Sequence, residues 1–205
     1  MFNGIIKDTG KIYKIQKNGD NCNLVIYSKI KFSKQEIGSS ISCSGACLTL
    51  DSYKKNLSRF YLSKETMDRT VFQFSKKGDI INLEKSLKFG ERMSGHFIQG
   101  HIDTISKIKR IDKIGKTWLV TFAIGKNFKK YIVEKGSIAV NGISLTISKL
   151  LSTGFQIAVI PQTLKNTNLY KVKKNNFVNI EFDILSKYLI NRIKWKKFIS
   201  QKLKI

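Results

Sequence analysis

The feature that most constrains this chain is an internal duplication. Shifted by 97 residues, positions 38–84 fall without a gap on positions 135–181, with eleven identities in 47 positions. Ser40-Ile41 lies on Ser137-Ile138, Gly45 on Gly142, Leu48-Thr49 on Leu145-Thr146, Thr66 on Thr163, Thr70 on Thr167, Lys76-Lys77 on Lys173-Lys174, and Asn82 and Glu84 on Asn179 and Glu181. A 96-residue shift extends the match to the start, laying Phe2-Asn3-Gly4-Ile5 on Ile98-Gln99-Gly100-His101. Such a chain builds one small fold twice, and 205 residues are enough for each copy to bury a core. The units are expected at 1–96 and 97–186, with 187–205 left as a tail.

Each copy reads as short strands separated by turns. The first offers strands at 5–15, 23–27, 40–52, 59–62 and 79–84, and the second at 101–111, 117–124, 138–151, 154–159 and 177–182. Five or six short strands per copy point to a small closed antiparallel barrel, because closure removes the edges an open sheet would expose. Helix is expected only as single turns, such as 127–134, and in the tail. From 186 to 205 there is no Gly, Pro or acidic residue and there are seven positive charges. Leu189, Ile193, Trp195, Ile199 and Leu203 recur between those charges, the pattern of an amphipathic helix. Three uses fit such a tail: packing on its own barrels, pairing with copies of itself, or lying on an anionic surface.

The charge balance needs reading with care. Thirty-eight basic against 14 acidic residues give a net +24, which by itself suggests a nucleic-acid or membrane partner. Only five of the 38 are Arg, the residue suited to bidentate phosphate and base contacts. The lysines are spread over the whole chain beside abundant Ile and Asn, with one Pro and four Ala, as AT-rich coding would produce. We therefore expect neither nucleic acid nor membrane as a partner. No apolar run approaches the ~18 residues that span a bilayer, no export signal opens the chain, and three cysteines, Cys22, Cys43 and Cys47, do not form a disulfide framework. The expected setting is cytoplasmic.

Several chemistries are set aside at this stage. Cys43, Cys47, His96 and His101 have the residue types of a metal site, but two cysteines four apart on one strand have Cα atoms about 13 Å apart, too far for a shared tetrahedral ion. There is no Gly-x-Ser-x-Gly elbow for a hydrolase and no glycine-rich phosphate loop. What remains is a doubled constellation: Gly-x-Cys-Leu-Thr at 45–49 and Gly-x-Ser-Leu-Thr at 142–146, each followed 17 residues after its Thr by another Thr, Thr66 or Thr163. Taken singly, such a Gly serves a turn and such a Thr suits a strand. Two copies in register suggest hydroxyls and backbone groups presented at one rim, suited to the edge of a planar ring such as a pteridine or flavin.

These segments resemble the alpha chain of the riboflavin synthase family. The resemblance runs through 1–6, 38–50, 64–66, 81–84, 94–103, 136–147, 160–169 and 178–183, and its most specific parts are Gly-His-Phe-Ile-Gln-Gly-His at 95–101 and the doubled Gly-x-Cys/Ser-Leu-Thr. It implies an all-β chain of two tandem, duplicated six-stranded Greek-key barrels followed by a C-terminal helix, assembled as a homotrimer. It implies a transferase that needs no cofactor and no metal. Two molecules of 6,7-dimethyl-8-ribityllumazine exchange a four-carbon unit to give riboflavin and 5-amino-6-ribitylaminouracil, and an association with lumazine synthase is left open. The site would lie between the N-terminal barrel of one subunit and the C-terminal barrel of another, so that two identical substrates meet in inverted orientation. A second implied reading is a non-catalytic relative that holds lumazine or flavin.

Carried over by position, the reacting centre would draw Ser40, Cys47, Thr49 and His101 from the first copy and Ser144, Thr146 and Asp183 from the second. His101 is the natural proton-transfer group, since an unperturbed imidazole titrates near neutrality. Cys47 is either a thiol nucleophile or donor, or a small buried hydrophobe. The N-terminal pocket would be lined by Gly4, Ile5 and Ile6, by Cys47, Leu48 and Thr49, by Tyr61, Leu62, Ser63, Lys64, Glu65 and Thr66, and by Gly100, His101 and Ile102. The C-terminal pocket would use Lys135, then Ser144, Leu145 and Thr146, and Ala158, Val159, Ile160, Pro161, Gln162 and Thr163. His96 reads as structural, within the inter-barrel connection, and Phe2 as either an aromatic lid or a buried staple. Ser44 stands where the family carries Asn before Gly45, whereas Asn141 is kept in the second copy, and Asn3 replaces the usual Thr.

Overall fold

A computed structural model describes residues 1–202, leaving aside the side chains of residue 194 and of residues 196–202. The first copy forms β1 (Asp8–Asn18), β2 (Asn21–Tyr27), β3 (Ser40–Cys43), β4 (Ala46–Lys54), β5 (Leu57–Leu62) and β6 (Ile80–Lys85), closed into a barrel in the order β1-β2-β5-β4-β3-β6. The second forms β7 (Thr104–Ile114), β8 (Thr117–Ala123), β9 (Ser137–Val140), β10 (Ile143–Leu151), β11 (Gly154–Val159) and β12 (Phe177–Phe182), with the same cyclic order. All pairs are antiparallel, and β3, β4 and β5 form a meander whose last strand lies beside β2, which is a Greek key. The short helices α1 (Lys64–Arg69) and α2 (Pro161–Asn166) follow β5 and β11, again 97 residues apart. The expected all-β pair of barrels is therefore what the chain forms, with α3 (Ile184–Lys202) after it.

Two expectations about strands need correction. Neither 40–52 nor 138–151 is a single strand. Each is broken by a two-residue hairpin turn with positive φ at both positions, Ser44 (45°) with Gly45 (86°) and Asn141 (47°) with Gly142 (76°). Cys43 and Cys47 thus lie on neighbouring strands, with Ser42 opposite Cys47 and Cys43 opposite Ala46, and the single-strand distance argument against a metal loses its premise. Ser44 tolerates its left-handed backbone inside a buried network: its Oγ accepts from Asn82 N–H at 3.2 Å and its carbonyl accepts from the Asn179 amide at 2.8 Å. The first strand of each copy also begins three residues later than expected, at Asp8 and Thr104. The residues before it have left their own barrel.

Those residues cross over. The carbonyl of Gly4, at the start of the first copy, accepts the Ser144 N–H of the second barrel at 2.9 Å, and the carbonyl of Gly100 accepts the Cys47 N–H of the first at 2.8 Å. Ile6 joins the core of the second barrel with Val120, Phe122 and Phe155, while Ile102 packs on the core of the first with Leu24, Leu50 and Phe60. Phe2 and Ile98 pair across the pseudo-two-fold axis, N–H to carbonyl in both directions at 2.7 and 3.2 Å. Phe2 is fully buried with Ile98 and Ala139, so within this chain it is a staple and not a lid. The two turns meet on the same axis: a Cβ on Gly45 would sit 2.7 Å from the Gly142 nitrogen, and a Cβ on Gly142 equally close to that of Gly45. The amide of Asn82 donates to the Asn141 carbonyl at 2.9 Å, the counterpart of the Asn179 to Ser44 bond.

Polar contacts hold the start of the tail helix α3. Asp183 Oδ1 accepts the Leu185 N–H at 2.9 Å at its start, and Lys187 Nζ meets Asp103 Oδ2 at 2.7 Å. Leu185, Tyr188, Leu189 and Ile193 are each more than half exposed, so these four side chains are not covered by the barrels. Ile199 and Leu203, the other apolar positions read from the sequence, lie outside the described side chains. Among the described residues no helix is long and apolar enough to cross a membrane.

Candidate active site

The hairpin β3–β4 points alternate residues outward. Register pairs Ser40 with Thr49 and Ser42 with Cys47, so these four share the outer face, while Leu48 and Ile41 turn into the core. The next wall is α1, capped by Ser63, whose Oγ accepts the Thr66 N–H at 3.3 Å. The third wall is the exchanged segment around Gly100. Together they enclose a cleft of about 360 Å³ lined by Cys47, Glu65, Thr66, Gly100, His101 and Ile102, and also by Arg69, Gln99, Asp103 and Lys187. Cys47 is half-buried and His101 exposed in this cleft. Cys43 and Cys22 are buried thiols whose pKa values burial pushes up, and they face the core.

The remaining residues proposed for the N-terminal pocket fall around this cleft or away from it. Thr49 is exposed beside Cys47 on the hairpin face, and Tyr61 is exposed at the end of β5. Leu62 is fully buried, and Lys64 is held between Asp20 and Asp68 at 3.6 and 3.3 Å. Gly4 and Ile6 are corrected in place: the exchange puts them on the second barrel, where they stand to Ser144 as Gly100 and Ile102 stand to Cys47. Ile5 instead lines a cavity of about 670 Å³ on the first barrel, with Ile30, Ile41 and Lys85. At the position equivalent to Lys85 the second barrel carries Phe182, which stacks on Tyr131 at 5.5 Å.

In the second half, Ser144 and Thr146 share the outer face of β9–β10, and Leu145 packs against the core. Ala158, Ile160, Pro161 and Gln162 are exposed, Thr163 is half-buried and Val159 is buried, along β11 and the start of α2. Lys135 is exposed and takes a positive φ of 66° where the first copy has Gly38. Over Ser144 lies the inter-barrel connection. Gly95 N–H donates to Asn3 Oδ1 at 2.6 Å, and His96 Nδ1 lies 2.7 Å from Ser144 Oγ. Burial holds the His96 pKa below the usual imidazole value, opposed in part by the charge of Asp183. His96, read from the sequence as a connector only, therefore belongs to the second half-site. No repeat signal could have found it, because it precedes the matched part of the second copy.

Two further residues were visible in the repeat but not recognised. Glu84 and Glu181, at equivalent ends of β6 and β12, are almost fully buried. Glu84 accepts the N–H groups of Asn3 (2.8 Å) and Gly4 (3.0 Å), and Glu181 those of Gln99 (2.8 Å) and Gly100 (2.9 Å). Burial raises both carboxyl pKa values, that of Glu181 to about 7, against the opposing pull of those backbone donors. Among the described residues no group of three or more His, Cys, Asp or Glu side chains could hold a metal ion. His96 and His101 stand in different half-sites, one on Ser144 and the other in the Cys47 cleft.

The arrangement is a doubled set of hydroxyl or thiol, short-helix threonine and exchanged backbone, with one imidazole per half. Comparison with known proteins agrees. The lumazine binding domain profile matches residues 3–86 and 99–183, one match per barrel. A riboflavin synthase of Photobacterium leiognathi is 33% identical over 203 residues, covering 98% of this chain and 93% of its own. One from Actinobacillus pleuropneumoniae is 34% identical over 189 residues, covering 92% and 88%. The crystal structure of LumP complexed with riboflavin superposes with a TM-score of 0.80 at 25% identity, over 89% of this chain and 99% of that one. Fold and site define a tandem lumazine-binding protein. The chain belongs to the riboflavin synthase family.

Proposed function

We propose that this chain converts two molecules of 6,7-dimethyl-8-ribityllumazine into riboflavin and 5-amino-6-ribitylaminouracil, by transfer of a four-carbon unit without a cofactor. The observation that carries the reading is the pair of related half-sites, one with Cys47, Thr66 and His101 and the other with Ser144 and His96. The reaction joins two copies of one molecule in different roles, and a duplicated chain whose halves have diverged supplies two similar pockets with different chemistry. In this reading His101 moves the proton of the lumazine 7-methyl group, with Cys47 in the same cleft and Ser40 further along the hairpin face. Ser144, oriented by His96, together with Thr146 and Asp183, serves the partner molecule that accepts a nucleophile. Holding the two rings together supplies much of the acceleration.

The functional units are 1–96, 97–186 and 187–205. The reading includes a cytoplasmic homotrimer, in which the N-terminal pocket of one subunit faces the C-terminal pocket of the next. It is supported by the apolar residues Leu185, Leu189 and Ile193 of α3, which the described residues leave more than half exposed. Lumazine synthase, which makes the substrate, is the further partner to look for by co-sedimentation. The likeness to LumP favours a second reading, a non-catalytic lumazine or flavin carrier. Incubating the purified chain with 6,7-dimethyl-8-ribityllumazine alone separates the two. Riboflavin and the pyrimidine appearing together establish the enzyme, whereas bound lumazine recovered unchanged makes the chain a carrier.

A further inference from the structure

The buried carboxylates are expensive. Glu84 and Glu181 carry no ion pair among the described residues, and a buried charge held only by backbone donors costs stability that an apolar side chain would not. Both copies nevertheless keep one at the same place, and each binds a segment that leaves its own barrel. Glu181 Oε1 and Oε2 accept Gln99 and Gly100 N–H, and the carbonyl of the same Gly100 accepts Cys47 N–H at 2.8 Å. Gly100 takes φ 83° and lies so close that a Cβ there would be 2.5 Å from that of Cys47. Glu84, Gly4 and Ser144 repeat the relation: Gly4 has φ 76°, and a Cβ there would be 2.6 Å from that of Ser144.

We propose that Glu181, on the C-terminal barrel, is the positioning residue of the N-terminal pocket, and that Glu84, on the N-terminal barrel, is the positioning residue of the C-terminal pocket. This rests on the functional reading of those pockets given above. His101 follows Gly100 directly, so the peptide that Glu181 clamps sets how the imidazole meets Cys47. Each half-site is thus controlled from the opposite barrel, and neither pocket is complete within its own repeat.

The clamp has a pH dependence. The charged groups facing Glu181 are Lys187 of α3, which favours the carboxylate, and Asp103, which opposes it; Lys187 is itself engaged by Asp103. With its pKa raised to about 7, Glu181 gains a proton just below neutrality and loses one of its two charge-assisted bonds. Lumazine is therefore expected to bind the N-terminal pocket more tightly as pH rises through about 7.

Alkylation of Cys47 by iodoacetamide in the full chain tests this, located by mass spectrometry and with Cys22 and Cys43 buried as internal references. Glu181→Gln is expected to speed Cys47 labelling about tenfold at one fixed pH, the size of one lost charge-assisted hydrogen bond, and to flatten the pH dependence of lumazine protection. Glu181→Asp, which keeps the charge but withdraws it by one methylene, is the second variant should the first fold poorly, with the same direction expected. Glu84→Gln should leave Cys47 labelling at the wild-type rate although both residues sit on one barrel. Acceleration by Glu84→Gln equal to that by Glu181→Gln, or wild-type rates in both Glu181 variants, would overturn the proposal. Failure of lumazine to protect Cys47 in the unmodified chain would instead overturn the functional reading, with the clamp still judged by the labelling rates.

Discussion

His101 and Cys47 share one cleft, and the proposed function expects their roles to be separable from binding. General acid–base groups typically contribute about 10²–10⁴ in rate, so His101→Gln is expected to lower turnover by about a hundredfold while changing lumazine affinity less than about threefold. Steady-state rates beside fluorescence titration measure both, and unchanged turnover would remove His101 from the mechanism. Glu181 makes a second prediction through its linkage to folding. Its carboxyl titrates at 4.5 when unperturbed and at about 7 in the fold, so between those values the folded chain holds a proton that the unfolded chain has lost. Its contribution to stability is therefore full below about pH 4.5 and declines as pH rises towards 7. Glu181→Gln should flatten that part of the profile of unfolding free energy against pH. Cys47, His101, Ser144 and Thr146 could be located from the repeat and the family resemblance. His96 lies in the 95–101 motif that carries the resemblance, but its place on Ser144 was not legible, because the two are 48 residues apart in sequence.

At the scale of elements, the period-2 pattern and the 97-residue repeat announced the barrel strands well. They failed at two kinds of place. The hairpin turns are not marked by any break in the pattern, since Ser44-Gly45 and Asn141-Gly142 sit between two strand-like stretches with no longer polar loop, and their positive φ ends the strand. Strand starts were placed too early because 5–7 and 101–103 look like strand and are used as arms. The turns make a sharp test, because they meet on the pseudo-two-fold axis. Gly142→Ala would put a methyl group against the Gly45 backbone at 2.7 Å and at an unfavourable φ. We expect a loss of about 2 kcal/mol or more in denaturant unfolding. Gly115→Ala, also at positive φ but with nothing within 4 Å, should cost less.

The whole molecule is two barrels locked by exchanged arms, a shared asparagine network and two abutting turns, with Leu185, Tyr188, Leu189 and Ile193 of the tail helix left exposed. Deleting residues 187–205 removes the exposed part of α3 and the Lys187–Asp103 contact, and is expected to convert a trimer into smaller species by sedimentation. A deletion that still sediments as a tight trimer would put the assembly surface on the barrels. The sequence could not settle the tail's use, since one apolar stripe serves all three, and the structure removes self-packing for Leu185, Tyr188, Leu189 and Ile193.

The half-sites at Cys47 and Ser144 are each built on one barrel and finished by an arm of the other. Equilibrium dialysis of riboflavin, which cannot turn over by itself, against the purified chain counts them directly. Two molecules bound per chain are predicted, with Glu181→Gln weakening one class of site and Glu84→Gln the other. A single molecule per chain, weakened equally by both substitutions, would contradict the account.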